Sequence, residues 1–239
     1  MKKLLFIIAV SLTSSFKAQV LTPKASPIAK IQQKVGLADI QIDYSRPSVN
    51  GRVIFGELIP YGQMWRLGAN ENTKITSSEA LIFGKDTLKA GTYALFAKPG
   101  ENNWEFYFYK DYSNWGLPEK WDDSKVALKV SASAGISKEF TENLTLQFEE
   151  LKSSSAKITL TWAQTKVTLP FALDTKTKVL ASIDKTMAGP SANDYHQAAT
   201  YYFNENLDLK KALEWSTKAV EMRGTSAYWM TRLKAQLQA

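Results

Sequence analysis

The sequence predicts a mainly β protein, an antiparallel β-sandwich of jelly-roll-like or barrel-like form, followed by a small α-helical tail. Short runs between residues 28 and 172 alternate apolar and polar residues with the period of a strand. Turn formers punctuate those runs with no helical segment between them, which argues against a βαβ sheet. Past residue 173 the apolar spacing becomes helical.

Ile40, Ile42 and Tyr44 share one face of the first clear strand, with Gln41 and Asp43 on the other. Thr92–Ala97 and Trp104–Lys110 form two more, and the link Lys98-Pro99-Gly100-Glu101-Asn102-Asn103 reads as a hairpin turn. Val126, Leu128 and Val130 alternate with Lys125, Ala127 and Lys129. The same pattern places Leu144, Leu146 and Phe148, then Ile158, Leu160 and Trp162, then Val167, Leu169 and Phe171, on strand faces. Asp174 is a helix cap before Val179, Leu180, Ile183 and Met187, and Gly189-Pro190 stops that helix. Ser191–Asn204 is a second helix. Asp208 caps a third, which Gly224 ends, and Thr225 opens a fourth. Residues 28–172 therefore read as a β domain and 173–239 as a tail. Phe203, Ala212 and Ala219 stand where a tetratricopeptide-type hairpin places an aromatic and two small packing residues, although Thr200 and Ser216 depart from that pattern. An ordinary helical hairpin fits the spacing equally. Either form must dock on the β domain or on another chain to bury its apolar face.

Met1-Lys2-Lys3, the apolar run Leu4–Val10 and the small residues Ser14, Ser15 and Ala18 have the pattern of a secretory signal peptide over residues 1–18, cut near Ala18. Residues 19–27, with Pro23 and Pro27, follow as an extended leader. The run is shorter than the ~20 apolar residues a membrane span needs, and no later segment reaches that length. The expected location is the periplasm or the extracellular space. Loss of Lys2, Lys3 and Lys17 lowers the net charge from +7 to +4, and no Lys/Arg run suggests nucleic acid. The 239-residue chain has no cysteine and one histidine, which excludes disulfides, thiol nucleophiles and multi-histidine metal centres. No cofactor or metal is expected.

Residues 43–73 are the densest in chemistry. Arg46, Arg52 and Arg66 lie close to Asp43, Glu57 and Glu71, among Tyr44, Tyr61 and Trp65. Arginine forks pair with carboxylates and stack on aromatic rings. Two readings follow: a concave site for a sugar-like or anionic ligand, or an internal brace for long loops. The ligand-binding candidates are Tyr44, Arg46, Arg52, Glu57, Tyr61, Trp65, Arg66, Asn70 and Glu71. No catalytic residue is assigned.

The stretches Tyr44-Ser45-Arg46-Pro47, Gly51-Arg52 with Ile54-Phe55-Gly56, Pro60-Tyr61-Gly62, and Trp65-Arg66 with Gly68-Ala69-Asn70-Glu71 closely resemble a family of exported bacterial proteins known only as a domain of unknown function. Ala90–Phe96 and Trp104 look like its next motif. The resemblance covers most of residues 25–172, and a helical tail also occurs in that family. It implies a secreted β-rich domain and transfers no catalytic residue.

Trp104–Tyr109, with Tyr112, Trp115 and Trp121, form an aromatic belt. One strand face belongs to the core. The other is either a stacking platform for sugar rings or a surface covered by the helical tail. His196 lies on a helix without a Gly-x-Ser-x-Gly elbow in the chain, and Trp121-Asp122-Asp123-Ser124 reads as a solvated turn. The functional expectation is a non-catalytic exported module that binds a glycan, a small polar ligand or, through the tail, a protein partner. A carbohydrate-active hydrolase or lyase using Asp43, Glu57 or Glu71 with the arginines is the second reading, and a purely structural envelope component is the third.

Overall fold

The computed structural model describes residues 22–224 and 226–239. Residues 1–18, read as a signal peptide, and Thr225, read as the start of the last helix, lie outside the described residues. The strands are β1 (Ile28–Val35), β2 (Ala38–Ser45), β3 (Thr73–Ser77), β4 (Leu81–Phe83), β5 (Asp86–Leu88), β6 (Gly91–Lys98), β7 (Asn103–Tyr109), β8 (Val126–Glu149) and β9 (Ser155–Ala172). They pair antiparallel in the order β1-β2-β3-β6-β7-β8-β9-β4-β5, with β1 and β5 as free ends, so no barrel closes.

Two long strands make the sandwich. The first part of β8 pairs with β7, from Val126 to Ser133, and the remainder pairs with β9, with register shifts between Ile136 and Thr145. At that bend the chain passes from one sheet to the other. β9 turns at Ala163 (φ 51°). Beyond it the strand runs back on itself: Leu173 N donates to Ser154 O at 2.8 Å and the Thr159 and Thr168 hydroxyls lie 3.3 Å apart. The strands expected at 126–130 and 144–148 are thus two parts of β8, and those at 158–162 and 167–171 are two parts of β9.

The core lies between the sheets. Ile40, Ile42 and Tyr44 of β2, Ile75 of β3, Leu95 of β6 and Trp104, Phe106 and Phe108 of β7 face Leu144 and Leu146 of β8 and Ile158, Leu160, Trp162, Val167, Leu169 and Phe171 of β9. Each such side chain contributes roughly 1.5–3 kcal/mol of burial. Ile75 apart, these residues come from the strands whose apolar residues alternate in the sequence, now closed against one another.

The tail has four helices, α1 (Thr175–Thr186), α2 (Ala192–Asn204), α3 (Leu209–Arg223) and α4 (Tyr228–Gln238). Ser191 and Asp194 form a reciprocal capping box on α2, and Asp208 accepts from Lys211 N on α3. Asp174 precedes α1 but makes no side-chain cap bond. Ala198, Ala199 and Ala212 let α2 and α3 approach, and Tyr202 and Trp215 fill the space beside them. Among the described residues no helix is long and apolar enough to cross a membrane.

The tail meets the sandwich at the β1–β2 turn. Gly36 (φ +54°) lies against the Ser153 carbonyl and Thr175 at the start of α1, so close that a Cβ there would overlap both oxygens. Leu37 sits at the mouth of the groove between α1 and α2, and Lys178 pairs with Glu79. Gly36→Ala should therefore destabilise the fold by roughly 1–3 kcal/mol through clash and positive φ together, read as a lower urea midpoint. An unchanged midpoint would contradict this contact.

Candidate functional site

Most of the candidate residues gather at one end of the sandwich. Phe55, Trp65, Trp104 and Trp162 form an aromatic plug there, with Trp65 stacked on Trp162 at 5.8 Å and Phe55 edge-on to Trp104 at 4.8 Å. Trp65 is 5% exposed and donates from Nε1 to Gly68 O at 3.1 Å. Tyr44 is 4% exposed, and its hydroxyl donates to Leu146 O (3.3 Å) and accepts from Leu146 N (3.0 Å), tying β2 to β8 across the core. Neither ring offers a face to a solute.

The three arginines bond mainly to backbone carbonyls. Arg46 Nε donates to Leu144 O at 2.9 Å and Nη2 to Thr145 Oγ1 at 2.7 Å. Arg52 holds its own turn through Val49 O and Ser48 O. Arg66 donates to Asn70 O at 2.7 Å and lies beneath Gly116 of the β7–β8 connection. Glu57 and Tyr61 are exposed on the loop before β3, with Tyr61 against Gly56. In this geometry Arg46 ties the end of β2 to β8. Arg46→Ala should cost about 1–3 kcal/mol by leaving the buried Leu144 carbonyl without its donor, measured by chemical unfolding. A neutral result would remove the brace.

Asn70 and Glu71 are placed differently. With Ile28, Asp43, Tyr44, Ser45, Asn72 and Lys74 they line a small cleft of about 40 Å³ where the Tyr44-Ser45 and Gly68–Asn72 segments meet. Gly68 permits that meeting, since a Cβ on it would stand 3.0 Å from Ser45 O. Leu67 (φ 54°) and Asn70 (φ 59°) both hold left-handed backbone. Asparagine tolerates this, whereas for buried Leu67 it is strained and is held by Thr73 Oγ1 donating to Leu67 O at 2.8 Å. Asn70 Nδ2 donates to Ser26 O and Ser45 Oγ. Asp43 has Lys30 at 3.6 Å and Glu71 has Lys74 at 3.6 Å, so the charges in and around the cleft cancel. Asn72 is 3% exposed, and neither its amide oxygen nor its amide nitrogen has a partner. An unpaired buried amide costs about 1–3 kcal/mol, an exception that calls for a cause.

The cleft belongs to a larger surface. Because Ile40, Ile42 and Tyr44 point inward, Gln41 and Asp43 point outward, and Ser45, next on that side, is covered by the Gly68–Asn70 segment. Cross-strand partners share a face, so register aligns Gln32–Gln41–Thr76–Thr92 and, one step along, Lys30–Asp43–Lys74. Gln32 donates to Gln41 (2.6 Å), Gln41 to Asp43 (2.5 Å), and the Thr76 and Thr92 hydroxyls are 2.9 Å apart. An open cleft of about 420 Å³ lies at the other end of this face, lined in part by Lys34, Asp39, Gln41, Thr76 and Ser78. The polar members of the β2 alternation were the sequence signal for it. Thr92 stands in a strand the sequence marks, whereas Gln32, Thr76 and Asn72 lie in segments whose alternation is too sparse to read.

The second aromatic row ends where this polar face begins. Tyr109 and Phe96 are 1% and 0% exposed beneath Trp121, which also packs edge-on to Tyr107. The cover is the β7–β8 connection; the helical tail, the expected cover, docks instead at the β1–β2 turn. Trp115 (67%) and Tyr112 (44%) are the exposed aromatics of that connection. Trp121-Asp122-Asp123-Ser124 enters a short 3₁₀ turn capped by the Asp122 side chain. His196, on α2, has an unpartnered Nδ1, and burial lowers its pKa.

The connection carries its own electrostatic latch. Asp111 accepts from Ser113 Oγ and N and pairs with Lys125 at 3.1 Å, which holds its carboxyl at about 2. A carboxylate whose folded pKa is lowered stabilises the fold fully above the unfolded value near 3.8 and loses that contribution as pH falls through about 2. A carbon-detected NMR titration should give an Asp111 midpoint near 2, and Lys125→Met should move it upward. An Asp111 midpoint at the ordinary carboxylate value would contradict the latch.

No curated protein and no solved structure matches the chain. A family model described as "Protein of unknown function (DUF2911)" matches residues 26–171. That stretch runs from the lead-in to β1 through β9, contains the end plug, both clefts and the outward polar face, and stops short of the four helices. The chain belongs to the DUF2911 family.

Proposed function

We propose that the protein is an exported, non-catalytic binding module of the cell envelope, with residues 28–172 as the binding sandwich and 173–239 as its helical tail. Its ligand is a neutral, hydroxyl-rich chain, a glycan, taken on the outward face of β1, β2, β3 and β6. The observation that carries this is the aligned row Gln32–Gln41–Thr76–Thr92. Side-chain amides and hydroxyls on paired strands offer donors and acceptors in fixed positions, and strands hold them more rigidly than loops do. From Asp39 to Ser45 the face extends ~20 Å along β2 at about 3.3 Å per residue, length enough for several sugar rings. The lysines on it are matched by Asp39, Asp43 and Glu71, so the face suits a neutral ligand better than an anionic one. The signal-peptide pattern at residues 1–18 supports export.

The test is calorimetry of the mature chain against neutral oligosaccharides, cellohexaose, xylohexaose and chitohexaose, beside an anionic oligogalacturonate. Binding of at least one neutral chain, weakened about tenfold by Gln41→Ala, is the expected result. No binding across the panel, or binding of the anionic chain alone, would overturn the reading.

A further inference from the structure

We infer that the Asn72 cleft is the anchoring subsite of this face, and that it takes the vicinal diol at one edge of a sugar ring. The inference rests on the binding reading above and adds where recognition is selective. The unpartnered amide is the starting point. Asn72 offers two N–H donors and one acceptor oxygen, all unmet, on a residue 3% exposed that lines the cleft. Its charged neighbours and the amide nitrogen of Asn70 already have partners. Asn70 donates to Ser26 and Ser45, Asp43 is held by Lys30 and Gln41, and Glu71 by Lys74.

Size and charge then select the ligand group. About 40 Å³ admits roughly three hydroxyl-sized groups, so a sugar enters by one edge and its ring is not enclosed. A cation is disfavoured because each carboxylate already has a lysine 3.6 Å away. An anion is disfavoured because Asp43 and Glu71 line the same wall. What remains is a neutral group that both accepts and donates. Two adjacent hydroxyls match the planar amide, one accepting from Nδ2 and the other donating to Oδ1. Ile28 is the lip: it opens β1, lines the cleft, and is 57% exposed. Its side chain must turn outward for the diol to reach the amide.

A purely structural asparagine and a binding one respond oppositely to Asn72→Leu. The leucine fills the volume and removes the unmet amide, which for an unpaired buried group is neutral or stabilising. The expected result is a melting temperature equal to or above that of the parent, with affinity for the oligosaccharide identified in the panel reduced about tenfold. Ile28→Ala should keep or raise that affinity. If Gln41→Ala weakens binding and a folded Asn72→Leu does not, this inference fails and the face reading stands. If no oligosaccharide binds the parent chain, both fail. A drop in melting temperature with unchanged affinity assigns the amide an internal water only, and overturns the inference. Should Asn72→Leu not fold, Asn72→Asp keeps the volume and the acceptor but loses the donors: a tenfold loss supports the subsite and an unchanged affinity overturns it.

Discussion

The register of β2 is the constraint on which the rest depends. Burial of Ile40, Ile42 and Tyr44 at 0–4% exposure fixes which face of that strand is inside. Because side chains alternate, a slip of one residue would place all three in water and bring Gln41 and Asp43 into the core. Neither state is a small perturbation of the other, so the inward set determines the outward set. β2 also pairs on both edges, with β1 over its full length and with β3 over four positions. One buried row therefore orders the polar side chains of three strands at once. Which side chains face outward is therefore set by the same register that fills the core.

The dense motif between residues 44 and 72 solves a different problem. Between β2 and β3 the chain must close the end of the sandwich without regular structure, and a loop that passes near a core leaves backbone carbonyls to satisfy. The arginines supply donors for them at Leu144, Val49, Ser48 and Asn70. Tyr44 does the same for both backbone groups of Leu146. The aromatic plug of Trp65, Trp104, Trp162 and Phe55 gives the segment enough buried area to stay in place. The composition that resembles a ligand site, arginine and aromatics with glycine, is also what an end plug needs. Asn70, Glu71 and Asn72 are the exception, since they stand where the plug meets the outward face.

This division explains how far the sequence could be read. The strands with three or more alternating apolar residues were legible because half-burial imposes the alternation directly. β3, with Ile75 as its single large apolar residue, and β4 and β5, a hairpin of two three-residue strands, were not, because each is too short to show an alternation. The helix limits near Gly189-Pro190, Ser191 and Gly224 were legible from local backbone chemistry. The site was legible only in part. Asn70, Glu71 and Tyr44 share one cleft, whereas Arg52, Glu57 and Tyr61 lie on exposed loop surface. Asn72 stands beside the motif without differing in kind from Asn70. Only the packing reveals that one amide is paired and the other is not.

That same packing bears on whether the carboxylates do chemistry. Glycoside hydrolysis needs two acids on opposite sides of a scissile bond, one of them carrying a proton, with a ring between them. Asp43 and Glu71 do line a common cleft, but at about 40 Å³ it does not enclose a ring between them. Each carboxylate also faces a lysine ammonium at 3.6 Å, and Asp43 accepts from Gln41. Glu57 lies on the exposed loop, outside the residues that line this cleft. The arrangement favours charges that balance one another over charges that act on a substrate. On this face the ionic groups are paired with one another, while the buried side-chain amide of Asn72 has no partner.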